Sequence, residues 1–312
     1  MANILVTGGA GFIGSHVVDQ YIEAGHTVVV IDNLCTGNAR NLNPKARFVE
    51  LDICGDALPE LFSSERFDYV SHLAAQIDVR KSLTYPKFDA DVNILGTINL
   101  LEASRLHGVQ KFIFASTGGA IYGDPAELPA SESCPPNPKC HYAASKLAAE
   151  YYIQLYKTLY DLPYAILRFP NVYGPRQSPE GEAGVCSILS RMMLENRQPT
   201  LFGHGQPLRD YVFVGDIANG CLLALDKGEN CIVNLGSGKG TSVQQVYDIL
   251  KSAIGYQGDA ALAPLRAGEV ENSYITGDLA YEILGWQPQV SLEDGLHQTA
   301  AFIRKQWQAG EG

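Results

Sequence analysis

Short apolar runs alternate with segments of helical periodicity along the first half of this chain. The run Asn3-Ile4-Leu5-Val6 is followed by Val17, Val18, Tyr21 and Ile22 at helical spacing, then by a second run, Val28-Val29-Val30-Ile31. Strand-like runs return at residues 46–51, 67–75, 111–115 and 163–168. Between them, residues 86–107 carry Val92, Leu95, Leu100 and Leu101 on a helical pattern, and residues 142–160 predict a further helix. Apolar strands separated by helices imply a parallel sheet covered on both faces, the doubly wound, Rossmann-like α/β class. Past Phe169 the alternation gives way to turns, short helices and isolated strands. Residues 232–235 predict a strand returning to the main sheet, and Ser291-Leu292-Glu293-Asp294 opens a last helix with a capping-box-like pattern.

The first strand leads directly into Gly8-Gly9-Ala10-Gly11-Phe12-Ile13-Gly14. Strand, glycine turn and helix form the context in which backbone approaches a pyrophosphate and the helix N-terminus faces its charge. The second strand ends in Asp32, placed to accept hydrogen bonds from an adenosine ribose, which favours NAD over NADP. We therefore expect an NAD-binding domain over residues 1–170, with returning segments around 209–235. A second, smaller substrate-binding lobe is expected from 171–208 and 236–312.

Tyr142-Ala143-Ala144-Ser145-Lys146 opens the 142–160 helix. A spacing of four puts Tyr142 and Lys146 on one face. A free tyrosine, with a pKa of about 10, is a poor base at neutral pH. An ammonium one turn away favours the phenolate, so the expectation is a lowered tyrosine pKa and a general base and acid for a hydroxyl or carbonyl. Ser116 and Thr117, at the end of the 111–115 run, are candidates to relay the proton or hold the substrate oxygen. A local cap or turn is the structural alternative for both.

The net charge of −11 argues against nucleic-acid and anionic-membrane partners, so an anionic ligand needs local arginines. Seven scattered cysteines without CxxC spacing point to reduced thiols in the cytoplasm and to no metal site. No run approaches the roughly 18 apolar residues of a membrane span.

The stretches VTGGAGFIGSH, VIDNL, HLAAQ, STGGAIYG, YAASK, RFPNVYGPRQ and RDYVFVGDIA run through nearly the whole chain. Together they resemble the extended short-chain dehydrogenases/reductases, and within them the compact bacterial and archaeal UDP-glucose 4-epimerases. The resemblance implies that Gly8, Gly11, Phe12, Ile13 and Gly14 hold the NAD pyrophosphate, Asp32 and Asn33 the adenosine ribose, and Asp52 and Ile53 border adenine. It implies that Leu73, Ala74, Ala75, Asn93, Lys146 and Pro170 line the nicotinamide half, with Tyr142 as base and Thr117 as the partner hydroxyl. On the substrate side it places Asn171 near the pyrophosphate of a UDP-sugar, Phe202 by uracil, and Arg209 and Arg266 on the phosphates. Glu269 would reach the uridine ribose and Ser273 would border the sugar 2-position. It also implies a homodimer paired through the 86–107 and 142–160 helices.

The sequence departs from the family's dehydratases and decarboxylases, which carry acids where Gly118 and Gly119 stand here. A UDP-glucuronate 4-epimerase remains an alternative, since Arg176 is available to a carboxylate. A catalytically silent NAD-binding scaffold is the alternative of another class.

Overall fold

Seven strands form one parallel sheet in the computed structural model, which describes residues 1–180, 184–266 and 270–309. They are β1 (Asn3–Thr7), β2 (Thr27–Asp32), β3 (Arg47–Glu50), β4 (Tyr69–His72), β5 (Lys111–Thr117), β6 (Tyr164–Phe169) and a returning strand, Cys231–Asn234. Across the sheet the order is Cys231–Asn234, β6, β5, β4, β1, β2, β3, and every neighbouring pair is parallel. The chain starts in the middle, winds out through β2 and β3, then crosses back to β4. The crevice between the ends of β1 and β4 is thus the switch point where ligands bind in such sheets.

The two-residue period of the strands sorts their side chains into two cores. Leu5, Val29, Ile31, Val70, Phe112, Phe114 and Ile166 face one side, with Leu100, Leu101 and Ile153. Ile4, Val6, Val28, Val30, Ile113 and Leu167 face the other, with Val17, Val18, Ile217 and Trp286. The covering helices of the first half are α1 (Phe12–Glu23), α2 (Leu58–Ser64), α3 (Val79–Thr84), α4 (Pro86–Ala90), α5 (Gly96–Leu106), α6 (Gly118–Ile121) and α7 (His141–Tyr160).

The single helix expected over 86–107 is interrupted. A π-turn over Asp91–Leu95 separates α4 from α5. Such a turn adds a residue to the helical ladder, and here Asn93 is buried in it. At the start of α5, a Cβ on Gly96 would sit 2.7 Å from Ile53 Cδ1, so the helix presses directly on the segment after β3.

Beyond β6 the strands are short. Asn171–Tyr173 pairs with Tyr211–Phe213, and Leu208–Arg209 lies between Thr241–Ser242 and Asn272–Ser273. Thr200–Phe202 pairs with Ala261–Ala263. Helices Val185–Leu194, Val243–Ile254 and Leu292–Gln308 close a third core through Leu189, Met193, Val246, Leu250, Leu296 and Ala300. Ser291 caps the last helix, its hydroxyl accepting from Asp294 N at 3.1 Å. Ala280, Leu284 and the fully buried Trp286 pack with the main sheet and the helix Val214–Asp226. The Trp286 Nε1–H donates to the Asp216 carbonyl at 2.8 Å, joining the C-terminal part of the chain to that core.

Candidate active site

The glycine loop is closed by contacts that exclude side chains. Gly8 has φ +71°, and a Cβ there would lie 2.7 Å from Ala74 N; one on Gly14 would lie 2.1 Å from the Gly8 carbonyl oxygen. Gly11 starts α1 with no side-chain cap, which leaves the helix's first-turn N–H groups, those of Phe12, Ile13 and Gly14, to an anionic ligand. At the end of β2, the Asp32 carboxylate is fixed by Ala10 N (3.0 Å) and Leu34 N (2.9 Å). Asn33 Nδ2 donates to Asp52 Oδ2 at 2.8 Å, joining the β2 and β3 ends. Ile53 is buried in the core beneath Gly96, and its carbonyl accepts from Asn99 Nδ2 at 3.1 Å. An uncapped helix end, glycines where no Cβ fits and an acid ending β2 together fit a dinucleotide.

The adjoining end of β4 is held by a directional hydrogen-bond chain. Thr97 Oγ1 donates to Asn93 O (2.7 Å) and so receives the Nε2–H of His72 (3.0 Å). Thr7 Oγ1 accepts from Leu73 N (3.2 Å) and Ala74 N (3.0 Å), and donates to His72 Nδ1 (2.8 Å). His72 is therefore the neutral Nε2–H tautomer. Burial, reinforced by the Lys146 charge, also drives its pKa well below the usual value. This chain locks Leu73 and Ala74, with Ala75 beyond them, at the end of β4.

Asn93 stands behind this end of β4. Its Oδ1 accepts from Gln76 N (2.9 Å), and its Nδ2 donates to Gln76 O (2.9 Å), Asp89 Oδ1 (3.2 Å) and Ser145 Oγ (3.2 Å). The amide expected to line the nicotinamide half is thus engaged by protein partners.

Tyr142 lies in the first turn of α7 and Lys146 one turn further, the latter 3% exposed. Lys146 Nζ sits 4.0 Å from the centroid of the Phe114 ring. Burial pushes Tyr142 up to about 12, against a hydrogen bond from Thr117 that acts downward. Burial also pushes Lys146 down to about 7, against the charges of Glu150 and Asp89. The lowered tyrosine pKa expected from the sequence is therefore not found in the protein alone. Helical spacing ignores desolvation, which here favours the neutral form of both groups.

Ser116 requires a second correction. Neighbouring strand residues point to opposite faces, and while Thr117 meets Tyr142, Ser116 donates to Glu150 Oε1 at 2.5 Å. Glu150 is also held by Arg168 through Nε (3.0 Å) and Nη2 (2.7 Å), and Arg168 Nη1 donates to the Tyr122 hydroxyl (2.8 Å). Ser116 belongs to this buried network. Glu150 was legible in principle, since it continues the Tyr142, Lys146 spacing by one turn.

The substrate side gathers around the short strands. Pro170 is buried between β6 and Asn171, and a Cβ on Gly119 would lie 3.4 Å from Asn171 Oδ1. Asn171 N donates to Asp210 O (2.9 Å). Ser273 Oγ donates to Gly119 O (3.1 Å), bringing the 272–273 strand against the loop after Thr117. The Arg266 guanidinium lies 3.7 Å from the Phe202 ring centroid. Arg209 is paired with Ser273 in strand register, and its guanidinium donates to the carbonyls of Leu208 (2.9 Å), Glu271 (2.8 Å) and Val270 (2.7 Å). Arg209 thus stitches the 270–273 segment to its own strand. Glu269 lies outside the described residues.

Sequence reasoning missed Asp210, which is 1% exposed. It accepts from Ser237 N (3.0 Å), Ser237 Oγ (2.5 Å) and Ile275 N (3.3 Å), and burial raises its pKa to about 6. Arg176 is paired with Asp19 of α1 at 2.7 Å.

A doubly wound sheet with a glycine cradle on one wall and a Tyr-Lys pair on the other defines a dinucleotide-dependent protein of the short-chain dehydrogenase/reductase type. The chain belongs to the NAD dependent epimerase/dehydratase family, whose profile matches residues 4–236. It is 49% identical to the putative UDP-glucose 4-epimerase of Methanocaldococcus jannaschii, over 96% of this chain and 98% of that one. The crystal structure of a UDP-glucose 4-epimerase from Thermotoga maritima with UDP-glucose superimposes with a TM-score of 0.96 at 47% identity, covering 98% of this chain and 99% of that one. That of the Thermus thermophilus UDP-glucose 4-epimerase complex with NAD gives 0.91 at 42% identity, over 97% and 99%.

Proposed function

We propose that the protein is a UDP-glucose 4-epimerase, interconverting UDP-glucose and UDP-galactose through a 4-keto sugar, and that N-acetylated UDP-hexosamines also fit. The observation that carries this reading is Tyr142 held against Thr117 at the end of β5, with Lys146 one turn behind. When bound, NAD supplies hydride exchange at the sugar C4 and remains with the protein. Tyr142 accepts the proton of the 4-hydroxyl as C4 is oxidised and returns it to the opposite configuration. Thr117 orients that oxygen, and the Lys146 ammonium offsets the phenolate charge. Burial pushes Tyr142 up to about 12 even against the Thr117 hydrogen bond, so added positive charge beside the phenol, when NAD is bound, would favour the phenolate.

No acid stands where elimination of water would need one, because the β5 strand is followed by Gly118 and Gly119. Arg176 is engaged by Asp19 on α1, which counts against a carboxylate-bearing sugar. The UDP moiety is assigned to the side of the crevice that carries Asn171, Phe202, Arg209, Arg266 and Ser273. The NAD-binding domain and the substrate-binding lobe meet along this crevice.

The test is an NMR assay of purified protein with UDP-glucose, UDP-galactose, UDP-N-acetylglucosamine and UDP-glucuronate, run beside Tyr142→Phe. Interconversion of the first two is expected, with kcat falling by about 10³-fold in the variant. Turnover of glucuronate alone, or full activity in Tyr142→Phe, would contradict the reading.

A homodimer is the proposed assembly. Leu83, Tyr85, Phe88 and Leu95, with Tyr151 and Leu155 of α7, are large apolar side chains left solvent-exposed in the single chain, which supports this reading. Light scattering that returns the monomer mass at micromolar concentration would reject it.

A further inference from the structure

Asp210 lies at the break between the strands Leu208–Arg209 and Tyr211–Phe213 and is 1% exposed. Its main chain joins two substrate-side segments: Asp210 O accepts from Asn171 N (2.9 Å), and Asp210 N donates to Ser273 O (3.1 Å). Any side chain would allow those two bonds. The carboxylate adds others, Oδ1 accepting from Ser237 Oγ (2.5 Å) and Oδ2 from Ser237 N (3.0 Å) and Ile275 N (3.3 Å). A buried carboxylate is tolerated only when donors surround it, and here they come from two separate stretches of chain.

The stretch it holds is the one that meets the crevice. Ser273 Oγ donates to Gly119 O (3.1 Å), and a Cβ on Gly118 would lie 2.3 Å from Ile275 Cδ1. Gly118 and Gly119 follow Thr117, so residues 273–275 pack directly on the loop after the hydroxyl that meets Tyr142. Behind them, Gly238 N donates to Ile275 O (3.0 Å), and a Cβ on Gly236 would lie 2.2 Å from that oxygen. Two glycine turns therefore permit the close approach of the 273–275 segment, and the Asp210 carboxylate fastens it there.

We propose that Asp210 is a positioning residue for the UDP-sugar, its carboxylate seating the 273–275 segment against Gly118 and Gly119 and so fixing that wall of the sugar subsite relative to Thr117. The inference rests on the substrate reading proposed above. The bonds of Asp210 run to substrate-side segments, whereas Tyr142 and Lys146 stand on α7. Losing the anchor should therefore weaken substrate binding more than the chemical step. Hydrogen-bond geometry is what the carboxylate supplies. An asparagine can keep its carbonyl oxygen toward Ile275 N and Ser237 N and turn its NH₂ to the Ser237 hydroxyl, which can accept.

The experiment measures epimerisation of UDP-glucose by NAD-loaded wild type, Asp210→Ala and Asp210→Asn. Asp210→Ala should raise KM about 10-fold with a smaller fall in kcat, and Asp210→Asn should bring KM back to within about 3-fold of wild type. An unmoved KM in Asp210→Ala, a loss confined to kcat, or an Asp210→Asn no better than Asp210→Ala would overturn the proposal. If Asp210→Ala does not fold, Ser237→Ala decides. It removes one donor from the junction and should raise KM about 3-fold with kcat falling less, and an unmoved KM rejects the anchor. Hydrogen exchange over residues 272–276, measured without substrate, reads the anchor independently of turnover. Faster exchange than wild type is expected in whichever alanine variant folds, and equal exchange rejects the proposal. A wild type that turns over no UDP-sugar would count against the proposed activity, while the exchange still decides the anchor.

Discussion

The two walls of the crevice are built differently. On the cofactor side, polar groups are satisfied within segments that begin at strand ends. Thr7, His72 and Thr97 close one hydrogen-bond chain between two neighbouring strands and the helix beside them, and Asp32 is fixed by the amides of Leu34 and of Ala10 in the glycine loop. On the sugar side, short strands from distant parts of the chain are tied by long-range contacts. Arg209 reaches the 270–271 carbonyls, Asp210 reaches Ser237 and Ile275, and Ser273 reaches Gly119. The first wall is set by neighbouring strands of one regular sheet and the loops at their ends, whereas the second is assembled from short strands outside that sheet. A change on the first should alter what every substrate experiences, while one on the second should separate substrates from each other.

The sharpest way to break this contrast is the adjacent pair Thr117 and Ser116. Thr117→Val should lower kcat by about 10²-fold on all sugars with unfolding stability nearly unchanged, since its hydroxyl faces Tyr142. Ser116→Ala should do the reverse, costing about 1–3 kcal/mol in denaturant unfolding by removing a donor from buried Glu150, with a much smaller loss of kcat. If both variants lose catalysis equally, the assignment of the two faces of β5 is wrong. A smaller, selective effect is expected on the other wall. Ser273→Tyr should cost N-acetylated substrates about 10-fold or more in kcat/KM relative to UDP-glucose, a discrimination typical of pocket shape. Equal losses on both would remove Ser273 from the sugar 2-position.

The same contrast explains what could be read from the sequence. The glycine loop, Asp32 and the Tyr142–Lys146 spacing are local patterns, and the alternation of apolar strands reveals the sheet because period and burial coincide. The π-turn was hidden: residues 86–107 keep a helical pattern through it, and nothing in that pattern marks one added residue. Ser116 misled because a polar pair at a strand end carries no sign of which member faces the crevice. Asp210 looks like an ordinary loop acid, and its importance comes from burial against Ser237 and Ile275, which lie far along the chain. The direction of the Tyr142 shift needed the depth of the crevice, which spacing does not encode.

The contact of Arg168 with Glu150 bears on accuracy more than on strength. Apolar packing between a helix and a sheet resists separation but tolerates small slides and rotations, whereas a two-pronged ion pair closes in a single alignment. With Arg168 on β6, Glu150 two turns along α7 from Tyr142, and Ser116 and Tyr122 completing the set, the helix is keyed to the sheet much as a dowel keys two machined parts. The phenol of Tyr142 inherits its placement from a joint buried between its own helix and the sheet.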